Sequence, residues 1–355
     1  MSTRVLIVDD SATMRAILTR LLSSEPDIEV IGAAADAMQA RGMIRELNPD
    51  VVTLDIEMPG MNGLDFLAKI MQLRPMPVVI VSGITQKGCD TTIRALELGA
   101  VDCYAKPDGS VSNLIESDGG TLARMVRDAA RVRFVRVPNA PAPRSPVAHS
   151  PVVHQTIAAS QVNGAGVRLI AIGASTGGVE ALHHILPAFP ANCPPTVIVQ
   201  HISAAFAPAM AERLDKQCTA KVQLLESGSI LQSGHIYVTP GNDRHAVIGG
   251  GTDKILAKLM PGDLISGHRP SIDALFESVA QKLGPAAIGI LLTGMGQDGA
   301  RGLLAMRRAG GRTIAQDEAT STVYGMPRAA ADLGAAEKIL PLPRIAERAL
   351  SAAGL

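Results

Sequence analysis

Two doubly wound α/β domains, each built on a parallel sheet, are what this 355-residue sequence predicts, and three observations carry the expectation. Short β-branched runs alternate with helical patterns through both halves, an alternation that places crossover helices on both faces of a parallel sheet. Composition breaks sharply at 137–165, where Pro138, Pro141, Pro143, Pro146 and Pro151 sit among Ala, Ser, His and Asn and apolar periodicity vanishes. Chemistry-bearing residues follow directly after strands in both halves, on the edge where open α/β sheets carry their sites. The boundaries expected are one domain over 1–134, a Pro/Ala-rich linker over 135–165 and a second domain over 166–355, each domain long enough for its own core.

The elements follow in order. Strands are expected near 4–8, 28–32, 50–55, 77–82 and 101–104, each a short apolar run, with helices near 12–24, 36–47, 63–73, 88–98 and 119–133 carrying apolar residues at helical spacing. Right-handed crossovers bring the carboxyl ends of these strands to one edge. The second half repeats the logic with strands near 167–172, 196–200, 287–292 and 312–316. Between them, 221–260 holds shorter runs punctuated by Gly and Pro, such as Gly234-His235-Ile236-Tyr237-Val238, read as a small antiparallel extension.

Composition excludes several functions. Lys plus Arg and Asp plus Glu number 33 each, so no global field draws the chain to nucleic acid or an anionic membrane. Aromatic residues are 2% with no Trp, which leaves no platform for stacking bases. Cys89, Cys103, Cys193 and Cys218 form no C-x-x-C pair, and reduced thiols in the cytoplasm are expected. The start has no signal-peptide pattern, and no apolar run approaches the ~18 residues of a membrane span. A monomer without membrane insertion is expected.

Asp9 and Asp10 end the first strand, Asp55 ends the third, Ser82 ends the fourth and Lys106 follows the fifth. Asp residues after strands often only cap helices, but that explains one carboxylate better than three with a matched Lys. Three close carboxylates repel unless a cation sits among them, and oxygen-only donors suit Mg²⁺. Lys106 is placed to neutralise a phosphoryl group carried by one of them. Val-Leu-Ile-Val-Asp-Asp-Ser at 5–11, Thr-Leu-Asp-Ile-Glu-Met-Pro-Gly-Met-Asn-Gly at 53–63 and Ala-Lys-Pro at 105–107 resemble the response-regulator receiver domain over about the first 120 residues. The resemblance implies a (βα)5 receiver with Asp55 as phosphoacceptor and a histidine kinase as phosphoryl donor. It also implies Mg²⁺ held by Asp9, Asp10, Asp55 and the carbonyl of Glu57, Ser82 as switch hydroxyl and Lys106 as phosphate contact. One position departs from the receiver pattern: Cys103 stands where Tyr or Phe is usual, with Tyr104 beside it and expected on the other sheet face.

In the second half, Leu-Ile-Ala-Ile-Gly-Ala-Ser-Thr-Gly-Gly at 169–178 ends a buried strand in a glycine-flanked turn with Ser175 at its tip. That arrangement suits an exposed nucleophile, an N-cap or a phosphate cradle alike. Eight His residues compete as its base. His149 and His154 fall in the linker, His183 and His184 read as helix surface, and His235, His245 and His268 sit in turns. His201 directly follows the strand 196–200, and Asp298 follows the strand ending at Leu292, so both share an edge with Ser175 if the strands are parallel. Carboxylate, His and Ser in that relation are the geometry of acyl transfer. A rival reads Gly294, Gly296 and Gly299 as G-x-G-x-x-G, with Asp317 and Glu318 about 20 residues on, which suggests a nicotinamide-dependent oxidoreductase. Asp298 would then set a negative charge where a pyrophosphate must lie. A noncatalytic binding regulator is the other alternative.

Ile172-Gly-Ala-Ser-Thr-Gly-Gly178, Gln200-His201, Gly267-His-Arg-Pro-Ser-Ile-Asp273, Leu292-Thr-Gly-Met-Gly-Gln-Asp-Gly-Ala300, Ala315-Gln-Asp-Glu-Ala-Thr-Ser321 and Tyr324-Gly-Met-Pro327 resemble the catalytic domain of chemotaxis-type protein-glutamate methylesterases. The resemblance implies Ser175 as nucleophile, His201 as base and Asp298 as orienting acid, with Met295 and Thr176 at the oxyanion hole and no cofactor for ester hydrolysis. Implied too are chemoreceptor cytoplasmic domains as substrates, methanol as product and deamidation of receptor glutamines. After His201, Ile-Ser-Ala-Ala-Phe replaces the Met- and Pro-rich stretch usual in that family. A tethered first domain has a high effective concentration near the second and can block it until Asp55 is phosphorylated.

Overall fold

The computed structural model describes residues 2–58, 62–106, 118, 120–132, 166–241, 243–250 and 254–355. The expected linker 135–165 lies outside the described residues. In the first half the chain runs β1 (Thr3–Val8), α1 (Ala12–Ser23), β2 (Ile28–Ala34), α2 (Ala37–Leu47), β3 (Val51–Asp55), α3 (Gly63–Leu73), β4 (Val78–Ser82), α4 (Gln86–Glu97), β5 (Asp102–Ala105) and α5 (Thr121–Ala130). Polar side chains start the helices: Ser11, Asp36 and Thr85 each accept a backbone N–H three residues on, at 3.3, 2.8 and 2.9 Å. All pairings in the sheet β2-β1-β3-β4-β5 are parallel. Its two faces alternate by residue. Leu6, Val8, Leu54, Ile80 and Cys103 join one buried cluster, whereas Val5, Ile7, Val79, Val81 and Tyr104 join another. Cys103 and Tyr104 thus face opposite sides of the sheet.

The second half continues β6 (Leu169–Ala174), α6 (Gly178–Ile185), β7 (Thr196–Gln200), α7 (Ala207–Asp215), β8 (Lys221–Leu224), β9 (Ser229–Ile230), β10 (His235–Val238), β11 (Arg244–Gly250) and β12 (Ile255–Pro261). It closes with α8 (Ile272–Leu283), β13 (Ala287–Leu291), α9 (Ala300–Arg308), β14 (Arg312–Gln316), α10 (Met326–Asp332), β15 (Lys338–Leu340) and α11 (Leu342–Ala352). The main sheet, β15-β14-β13-β6-β7-β10-β8, is parallel throughout, and β11-β12-β9 form an antiparallel sheet. One expectation is corrected here. The run His235–Val238 belongs to the parallel sheet, paired with both β7 and β8, and not to the antiparallel extension. Alternation of apolar residues is the same in either kind of ladder, so the pattern carries no direction.

Chain order sets the site. From β6 the sheet grows one way through β7 and the other way through β13, so the crevice beyond the carboxyl ends of β6 and β13 is a topological switch point. Ser175 follows one of these strands and Asp298 the turn after the other. The first sheet has its own switch point at β1 and β3, which end at Asp9 and Asp55.

Candidate active site

At the first switch point, Lys106 Nζ lies 2.7 Å from Asp55 Oδ2 and 2.9 Å from Asp9 Oδ2. Asp9, Asp55 and Ser82 are buried and Asp10 is exposed. Oxygen atoms of Asp9, Asp10 and Asp55 lie within 4.8 Å of one another. Burial pushes the Asp9 carboxyl up despite the neighbouring ammonium, and the nearby Asp55 adds to the push. Burial works against the Lys106 charge, yet the Asp55 and Asp9 carboxylates hold its pKa above the ordinary lysine value. A hard dication fits this donor set, because three carboxylates face a single ammonium. The main-chain N–H of Glu57 donates to Asp55 Oδ1 at 3.0 Å, while its exposed side chain stands outside the cluster.

At the second switch point, parallel pairing of β6 with both β7 and β13 brings Ser175, His201 and Asp298 to one edge. Ser175 is fixed by its backbone: its N–H donates to Thr293 O at 3.0 Å and its carbonyl accepts from Gly178 N at 2.7 Å. Gly177 takes φ +74°, where a side chain would also meet Thr322, and a Cβ on Gly294 would come within 2.6 Å of Ser175 Cβ. The turn therefore needs these glycines for its close approach. Among the described residues, the N–H groups of Thr176 and Met295 donate to no protein acceptor.

His201 Nε2 is 2.9 Å from Asp298 Oδ2, and its buried Nδ1 has no hydrogen-bond partner among the described residues. Nδ1 is thus the nitrogen left for a proton from Ser175, which lines the same cavity. Asp298 is buried and accepts also from Ser271 Oγ at 2.7 Å, Ile272 N at 2.8 Å and Asp273 N at 3.1 Å. Burial opposes its charge, but His201 and these donors together hold its carboxyl below the usual range. A hydroxyl, an imidazole and a buried carboxylate in this relation can carry out acyl transfer. The G-x-G-x-x-G run that holds Asp298 is tied back to the chain at its first glycine. Gly294 N donates to Val323 O, and Gly325 N and Met326 N both donate to Gly294 O.

Two residues take roles that sequence reasoning did not reach. His268 stacks on His201 with ring centroids 3.8 Å apart and planes 3° from parallel. Rings so aligned direct their in-plane lone pairs side by side, which does not converge them on one metal ion. His183, expected on the surface, has only 9% of its side chain exposed and lies 3.1 Å from Glu97 Oε1 of α4. That contact belongs to a larger seam between the two halves. Glu97 takes two hydrogen bonds from Arg213, and Cys89 Sγ donates to Ala205 O at 3.3 Å. Leu96, Ala100, Val101 and Asp102 of the first half wall the cavity of Ser175 and His201. Its volume is about 10 Å³, room for one water at most.

The family model for CheB methylesterase matches residues 170–349, and that for the response regulator receiver domain matches 5–116. The chain is 51% identical over 347 residues to a protein-glutamate methylesterase/protein-glutamine glutaminase of Rhizobium etli, covering 98% of this chain and 95% of that protein. It is 50% identical to one of the same name from Caulobacter vibrioides, covering 99% of this chain and 98% of the other. Among solved structures, the CheB methylesterase catalytic domain of Thermotoga maritima is similar at 34% identity and TM-score 0.51, over 53% of this chain and 99% of that one. No helix among the described residues is long and apolar enough to cross a membrane.

Proposed function

Because the chain belongs to the CheB methylesterase family, with a receiver domain ahead of the catalytic domain, we propose that it is a phosphorylation-activated protein-glutamate methylesterase and protein-glutamine glutaminase acting on chemoreceptors. The observation that carries the reading is the His201–Asp298 hydrogen bond at the same sheet edge as Ser175. Ser175 Oγ attacks the glutamyl ester carbonyl while its proton passes to His201 Nδ1. The N–H groups of Thr176 and Met295 receive the oxyanion. Collapse expels the methoxy group, which leaves as methanol with the proton from His201. Water, deprotonated by the same nitrogen, then attacks the acyl-enzyme and restores Ser175 and a receptor glutamate; with glutamine the leaving group is ammonia. Headspace methanol from methylated receptor membranes tests the activity, and a fluorophosphonate probe should label Ser175. Absence of both sinks it, and nicotinamide binding in a fluorescence titration would favour the oxidoreductase reading.

In the receiver, Asp55 takes a phosphoryl group from a histidine kinase. Asp9, Asp10, Asp55 and the Glu57 carbonyl would hold Mg²⁺, which when bound supplies charge neutralisation at the phosphoryl oxygens. Lys106 contributes a further positive charge beside Asp55, and Ser82 lies at the end of the neighbouring strand.

The seam described above corresponds to a closed enzyme, since a cavity of one water admits no glutamyl ester. Phosphorylation of Asp55 remodels the face formed by α4 and β5 and shifts the population towards an open form. Glu97→Arg or Arg213→Glu alone should raise unstimulated methanol release roughly 5- to 30-fold, the factor that 1–2 kcal/mol gives. The double swap should restore repression. Unchanged release in both single variants would remove this seam from the regulation.

A further inference from the structure

We propose that His268 is a positioning residue for the base: its imidazole, stacked face to face on that of His201, holds the His201 ring in the plane that joins Asp298 to Ser175. The inference deepens the esterase reading and rests on it.

The base has little else to orient it. His201 Nε2 is tied to Asp298 at 2.9 Å, but one hydrogen bond fixes a point and leaves the ring free to swivel about it. Nδ1 offers no second anchor, being without a partner. Swivelling is opposed by a flat surface against the ring face, and His268 supplies one at 3.8 Å and 3°.

His268 is itself held more firmly than the residue it supports. Its N–H donates to Ile265 O at 2.9 Å and its carbonyl accepts from Ile265 N at 3.1 Å. Between them Ser266 and Gly267 take φ +52° and +80°, the pattern of a type I′ turn whose backbone has little freedom. The His268 Nδ1–H donates to Ser266 O at 2.9 Å, which sets the ring's rotation and its tautomer. The same segment, three residues on, delivers the Ser271 hydroxyl and the Ile272 and Asp273 N–H groups to Asp298. One short stretch of chain thus orients both the base and its acid.

Charge matters as well, because a second cation over the ring would oppose the imidazolium that forms at His201. Burial pushes His268 down to about 4, and the facing His201 pushes the same way. The Asp298 carboxylate works against them, and Arg124, reaching from α5 of the receiver, adds to the lowering. His268 is therefore neutral at neutral pH, and serves as an uncharged plate that also keeps water from one ring face.

The test uses the full chain with a phosphoryl donor and methylated receptor membranes, comparing wild type, His268→Ala and His268→Phe in kcat and KM. His268→Ala should lower kcat roughly 10- to 100-fold with KM nearly unchanged, as a loosened base implies. His268→Phe keeps the flat face and should recover most of the rate. The proposal is overturned if His268→Ala leaves kcat where it was, if Phe is as impaired as Ala, or if only KM rises. A wild-type chain that releases no methanol fails the esterase reading itself, a result separable from any of these.

Discussion

Ser175→Ala should reduce methanol release by about 10⁶-fold while leaving the protein folded. The size of the loss follows from its being the atom that forms the bond: without Oγ His201 has no hydroxyl proton to take and Asp298 no imidazolium to stabilise, and the three act as one unit. What survives is stabilisation of the developing oxyanion by the Thr176 and Met295 N–H groups, which still surpasses water alone. The fold survives because the turn is held by the main chain. Ser175 N–H to Thr293 O and Gly178 N–H to Ser175 O both persist in alanine, and the hydroxyl makes no hydrogen bond to the described protein. The melting temperature should therefore stay close to wild type, the change being within about 1 kcal/mol. Headspace analysis of methanol and labelling by the fluorophosphonate probe should fail together. Substantial turnover in this variant would show that another group attacks the ester.

Much of this site was legible because its residues sit at strand ends. Ser175, His201 and Asp298 each follow an apolar run, and parallel pairing turns three separated sequence positions into neighbours. The same argument located Asp9, Asp55 and Lys106. Legibility fails where function depends on a face and not an edge. His268 reads as one more turn histidine, and only folding reveals its ring against His201. The direction of His235–Val238 was hidden because apolar alternation is blind to strand polarity. β15 is three residues long at the sheet edge, with Lys338 and Ile339 exposed, so it carries almost no pattern at all. The seam is hidden for a different reason. Arg213 and Glu97 are 116 residues apart, and each reads as a polar residue late in an amphipathic helix until the two halves meet. The antiparallel sheet has a use that composition never suggested: His245 on β11 is buried, its Nδ1 accepting from Ser271 N at 3.1 Å, and so braces the segment that feeds Asp298.

Asp298→Asn should lower kcat by about 10⁴-fold through the tautomer of the base. In the native site Nε2–H of His201 donates to Oδ2, which leaves Nδ1 as the acceptor for the Ser175 proton. An asparagine NH2 at Oδ2 reverses this, because it donates to Nε2, and the ring proton moves to Nδ1, where it blocks the serine. The flipped amide would keep the working tautomer, but it sets the NH2 where two donors, the Ser271 hydroxyl and Asp273 N–H, converge, and so is disfavoured. In the unflipped form the NH2 faces the single backbone donor Ile272 N–H. Either way a buried N–H loses its acceptor, at about 1–3 kcal/mol, so this variant also melts earlier than Ser175→Ala. That stability difference depends on pH with a definite sign. The folded Asp298 pKa is lowered, with burial resisting and the donors prevailing, so its contribution is complete above the ordinary value of about 3.9 and is lost as pH falls through the lowered one. Melting curves of the two proteins should accordingly stay apart from neutral pH to about 4 and converge below it. A gap that widened on acidification would mean the carboxyl is protonated in the native state, and such a group could not hold an imidazolium at His201.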